Sequence, residues 1–94
     1  AAMKPTVDYP RRGEVITTPS YTLRVSAPAA AKRVEISIDE GLWWPCRRAA
    51  GHWWYDWWGY ADGPHSAWAR MSVVPGRWLR GAPVKFFASL PPEM

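Results

Sequence analysis

The chain has 94 residues, 48% of them hydrophobic and 21% charged, with a formal net charge of +4. That length holds one small domain, and that apolar content excludes a disordered chain. No apolar run is long enough to span a bilayer, and the lone Cys46 excludes an internal disulfide.

The start, Ala-Ala-Met-Lys-Pro, shows no apolar leader; the expectation is that a leader has been removed, that the chain is a piece of a longer protein, or that its ends were set artificially. Ten prolines and seven glycines divide the chain into short pieces, which argues for strands rather than long helices. Residues 14–17 form a first edge strand. Residues 21–26 alternate, with Tyr21, Leu23 and Val25 on one face and Thr22, Arg24 and Ser26 on the other. Pro28 makes 27–33 a connection. Residues 33–39 alternate again, with Val34, Ile36 and Ile38 inward. Asp39-Glu40-Gly41 is a turn, and 42–47 returns as a hairpin partner with Trp43 inward, Trp44 outward and Pro45 marking an edge.

Residues 53–58 place Trp53, Tyr55 and Trp57 on one face and Trp54, Asp56 and Trp58 on the other. Asp56 marks the second face as the outer one. After a turn-rich stretch, 65–71 puts His65, Ala67, Ala69 and Met71 inward and Ser66, Trp68 and Arg70 outward. Residues 72–82 read as a long loop with Trp78 at its tip. Residues 83–90 close the domain, with Lys85 and Phe87 outward. The fold class is all-β: an immunoglobulin-like, two-sheet antiparallel β-sandwich of about seven strands. Residues 1–94 form a single domain with its core at about 13–90.

Three stretches carry a resemblance. They are Pro-Ser-Tyr-Thr-Leu-Arg-Val-Ser-Ala at 19–27, Val-Glu-Ile-Ser-Ile-Asp-Glu-Gly at 34–41 followed by Trp43, and Gly63-Pro64-His65 leading to Ala69-Arg70. Together they resemble bacterial immunoglobulin-like, or early-set, domains. The dimerisation domain of sulfite-oxidase-type enzymes is similar in the same stretches. Glu40, where the family has glycine, and the 72–82 loop depart from the pattern. The resemblance implies a β-sandwich with a non-catalytic accessory role, secreted or in the cell envelope, and carries over no catalytic residue.

The chemistry-bearing residues are sparse. His52, His65 and Cys46 make no ligand-spaced pair, so no metal site is read. Cys46 beside Arg47 and Arg48 has neighbours that lower a thiol pKa, but no orienting group completes a nucleophile. Asp39, Glu40, Asp56 and Asp62 fall in turns or on exposed strand positions. No catalytic residue and no cofactor motif is read. Basic residues interleaved with aromatics would suit single-stranded nucleic acid. A solvated surface accounts for them more simply.

What remains is tryptophan. Of eight, six lie between Trp43 and Trp58. One small core cannot hide them all, and indoles are enriched at binding hot spots. Trp44, Trp68, Trp78 and Phe87 are expected to form one contact surface edged by Arg70, Arg77, Arg80 and Lys85. Trp54 and Trp58 are assigned to the other sheet or its rim. The function expected is a protein-interaction module, natural or engineered, that docks on a partner, a neighbouring domain or a second copy. The alternative is a carbohydrate-binding module that stacks sugars on tryptophan.

Overall fold

A computed structural model describes residues 4–92, and all regular elements among them are strands. In chain order they are β1 (Thr6–Tyr9), β2 (Val15–Ile16), β3 (Ser20–Ser26), β4 (Arg33–Ile38) and β5 (Trp43–Pro45), then β6 (Arg47–Ala49), β7 (His52–Trp58), β8 (Gly63–Ser72), β9 (Leu79–Arg80) and β10 (Val84–Ala88). One sheet has the order β1-β3-β7-β6. The other has the order β2-β10-β8-β4-β5, with β9 paired to the far end of β8. The two sheets enclose one core, so the chain is an all-β, immunoglobulin-like sandwich.

Alternation builds that core. Leu23 and Val25 of β3 pair with Tyr55 and Trp53 of β7, which turns all four side chains to the interior. Val34, Ile36, Ala67, Ala69, Met71 and Phe86 face them from the second sheet. The largest fully buried side chains are Phe86, Leu23, Ile36 and Met71. Each stabilises the fold by about 1.5–3 kcal/mol relative to exposure. One end of the core is aromatic. Trp57 stacks on Tyr60 with centroids 3.9 Å apart and meets Phe86 and His65 edge-on across the sheets.

The chain starts earlier than the sequence suggests, because β1 pairs with β3 before the 14–17 strand. That second strand, β2, runs parallel to β10 while the other ladders among the described residues are antiparallel. The 42–47 return divides in two. Its first half, β5, pairs with β4, and its second half, β6, joins β7 in the opposite sheet. Cys46 is the crossing point, and its N–H donates to the Val34 carbonyl at 2.9 Å.

Trp43 and Trp44 are reversed relative to the expectation. Asp39 and Glu40 both have positive φ, and Gly41 N–H donates to Ile38 O at 3.1 Å, as in a two-residue type I′ hairpin. That turn alone would set Leu42 opposite Ser37. Instead Ser37 faces Trp43, and Ile36 faces Trp44. One extra residue on the return strand makes a bulge and exchanges the faces. Ser37 Oγ, donating to Gly41 O at 2.9 Å, fastens the bulge.

Residues 72–82 are not a plain loop either. β8 runs on to Ser72, and β9 folds back beside it, pairing Arg80 with Arg70 and Leu79 with Met71. The tip is the Val74–Arg77 turn, closed by Arg77 N–H donating to Val74 O at 3.1 Å.

Candidate functional site

On the outer face of the β2-β10-β8-β4-β5 sheet, arginines and indoles alternate. The Arg70 guanidinium carbon lies 4.1 Å from the Trp78 ring centroid and 4.4 Å from that of Trp43. Arg80 lies 5.3 Å from Trp43 and 4.9 Å from Trp68. The stack therefore runs Trp78, Arg70, Trp43, Arg80, Trp68. Two arginines directly opposite on paired strands repel. Here the indole faces and the Glu35 carboxylate absorb that charge: Glu35 Oε1 accepts from Arg70 Nε at 2.9 Å and Nη2 at 2.5 Å.

The expected contact surface is thus partly assembled and partly redistributed. Trp68, Trp78 and Arg70 come together, with Trp43 in the place assigned to Trp44. The three rings are half-buried under guanidinium groups rather than open. Trp78 sits beneath Arg70 and not at a loop tip. Arg77 is exposed on the turn that precedes Trp78. Phe87 is on the same face but opposite Pro64, four residues along β8 from Trp68, where its neighbour is Val15.

Trp44 occupies the flank where the sheets part. With Leu42, Ile38, Tyr55, Trp57 and Tyr60 it lines a groove of about 420 Å³. Leu42 is 73% exposed and Trp44 47%. His65 closes one end. Its Nδ1 meets Asp39 Oδ2 at 2.6 Å and its Nε2 meets the Ala61 carbonyl at 2.7 Å. Burial opposes a charged ring. The Asp39 carboxylate and the Ala61 carbonyl outweigh it, so the His65 pKa rises above its ordinary value. With an acceptor at each nitrogen, the imidazolium is the form that satisfies both.

The opposite sheet carries a third group. Trp54, Asp56 and Trp58 project from β7 on the outer face, as alternation implies, and Trp58 is 70% exposed. Asp56 accepts from Thr22 Oγ1 and from Arg47 Nη1, each at 2.8 Å, and these bonds hold its carboxyl below the usual range.

The remaining candidates are quiet. Burial, with the Glu35 charge adding, pushes the Cys46 thiol up to about 12, and Arg47 opposes this only weakly. The arginines therefore do not activate it. Among the described residues, no group of three or more His, Cys, Asp and Glu is placed to hold a metal ion, and no helix is long and apolar enough to cross a membrane.

Sequence reasoning missed Trp43 as a stack member, because a bulge decides its face. It also missed the Asp39–His65 and Arg47–Asp56 pairs. An aspartate in the Asp39-Glu40-Gly41 turn and a carboxylate amid tryptophans were the available signals.

No family model matches the chain, and no curated protein is similar to it at a significant level. Solved structures are similar in fold. An endo-β-1,4-mannanase from Thermotoga petrophila superposes with a TM-score of 0.77 at 12% identity, over 97% of this chain and 20% of that one. The fibronectin(III)-like modules of Clostridium thermocellum CbhA give 0.76 at 17% identity, over 93% of this chain and 46% of theirs. An engineered protein gives 0.72 at 15% identity, over 92% of this chain and 20% of that one. At these identities the likeness is one of fold, and this chain spans a fifth to under half of each neighbour's length. The class defined is the immunoglobulin-like β-sandwich fold, which the fibronectin(III)-like modules share. A sulfite-oxidase-type dimerisation domain is not among these three.

Proposed function

We propose that the chain is a non-catalytic interaction module that docks on a protein surface through its β5–β7 flank. One observation carries this reading: Leu42 and Trp44 stand exposed on the rim of an aromatic groove. Large apolar side chains around a concave aromatic floor suit a docking anchor. Trp68 and Trp78, roofed by Arg70 and Arg80, serve as scaffold for the sheet. The length relation supports an accessory role, since neighbours of this fold carry it as one part of a longer chain. The partner is a second copy or an adjoining domain.

Light scattering after size exclusion, over a range of concentrations, tests the self-docking form. The native chain is expected to form a reversible dimer, and Leu42→Ser with Trp44→Ser to remain monomeric. Monomeric behaviour of both proteins would refute self-docking. A dimer that survives the double substitution would refute the assignment to this flank.

A further inference from the structure

A separate face carries a strip of different chemistry. Along β7, His52, Trp54, Asp56 and Trp58 project outward from the β1-β3-β7-β6 sheet. Trp54 and Trp58 are four residues apart, which spaces them by about 13 Å on an extended strand. Between them is a shallow cleft of about 220 Å³, walled by Pro45, Arg47, Asp56 and the two indoles. We propose that this strip binds a neutral oligosaccharide.

The aromatic part is prepared for stacking. The Trp54 Nε1–H donates to Ala49 O at 2.8 Å, so its polar atom asks nothing of a ligand. His52 meets the same ring edge-on, with centroids 5.9 Å apart, and steadies it. Trp58 stands well into solvent. A pyranose ring offers an apolar C–H face to an indole and hydroxyls around its rim. Two platforms at this spacing fit a chain of several sugars rather than one.

The polar part fits hydroxyls. Asp56 is held by Thr22 and Arg47, and both members of the Arg47–Asp56 pair are about half exposed, with side chains 56% and 51% accessible. The carboxylate keeps free lone pairs and the guanidinium keeps free N–H groups. Thr22 and Ser20, opposite Asp56 and Trp58 on β3, add hydroxyls.

Charge narrows the class. The ions at the cleft are paired with each other: Arg47 with Asp56, and beside them Arg24 with Asp8 at 3.1 Å, while Arg11 stacks on Tyr9 of β1 at the far edge of the sheet. The cleft itself, with Arg47 and Asp56 as its charged residues, is neutral although the chain carries +4. A nucleic-acid strand would need unpaired cations for its phosphates beside the stacking rings. An acidic polysaccharide would need them too. A neutral glycan needs rings and hydrogen-bonding groups, and these are what the strip supplies.

The test is a titration of the whole chain with cellohexaose, mannohexaose and chitohexaose, read by tryptophan fluorescence and calorimetry. At least one is expected to bind saturably. Trp58→Ala is expected to weaken that binding at least tenfold with an unchanged urea midpoint, since the ring is mostly in solvent. Asp56→Ala is expected to weaken it similarly. The Leu42→Ser and Trp44→Ser substitutions are expected to leave it intact, so failure here and failure of the flank reading are separable. No response to any of the three sugars would overturn the proposal. So would binding that survives Trp58→Ala, or polygalacturonate or a proline-rich peptide binding as tightly as the best neutral sugar.

Discussion

Replacing Arg70 with methionine tests the alternating stack most directly. Methionine keeps the apolar stem and deletes the charged plane. Two cation–π contacts go, at 4.1 and 4.4 Å, each worth about 0.5–1 kcal/mol at a partly exposed site. Glu35 also loses a two-pronged partner in a pair whose side chains are only 25% and 20% exposed. Hydrogen bonds to charged groups contribute about 1.5–3 kcal/mol, and partial exposure places this pair toward the low end. Coupled terms do not add fully. The expected loss is therefore about 2–3 kcal/mol. With a urea slope of about 1 kcal/mol/M for a domain of this size, the midpoint should fall by about 2–3 M. Tryptophan fluorescence reports it, because the rings that lose their roof are the chromophores. Arg70→Lys should recover less than half of the loss, since an ammonium cannot lie flat between two indoles while bonding Glu35 twice. A shift below about 0.5 kcal/mol for Arg70→Met would refute the stack as a structural device.

Other substitutions probe other links. Gly81→Ala should destabilise the fold by about 1–3 kcal/mol in the same assay, because the new Cβ would sit 2.1 Å from the Pro5 carbonyl oxygen; an unchanged midpoint would show that the Pro5 segment is not packed there. Cys46, with its pKa near 12 against an ordinary 9.0, should carry about a thousandfold less thiolate than a free thiol near neutral pH, so Ellman's reagent should label it only after unfolding; rapid native labelling would contradict its burial. His65 has a raised folded pKa, so its protonated form stabilises the fold below the unfolded value of 6.5, and that contribution is lost as pH rises through the folded value. Urea midpoints at about pH 6 and about pH 8 should differ more in the native chain than in Asp39→Asn, whose asparagine tolerates the positive φ at that turn; equal pH slopes would remove Asp39 as the cause.

Whatever depends on one strand at a time is legible in the order of residues alone. Side chains on an extended strand alternate, so Trp53, Tyr55 and Trp57 had to part from Trp54, Asp56 and Trp58. For the same reason Ala67 and Ala69 had to face inward beside an outward Trp68. Several such alternating strands, cut short by prolines and glycines, sufficed for the sandwich class. Tertiary structure alone decided which side chains from distant strands meet. One additional residue after the Asp39–Glu40 turn reversed Trp43 and Trp44, and no local pattern records a bulge. The Arg70 and Arg80 positions became a stack only when β9 folded back on β8 and β5 closed against β4. Asp39 found His65, and Arg47 found Asp56, through turns and a sheet crossing. Periodicity is a property of a single backbone. Register and cross-strand neighbours belong to the pairing of several, and they settle which indoles are roofed and which stand free.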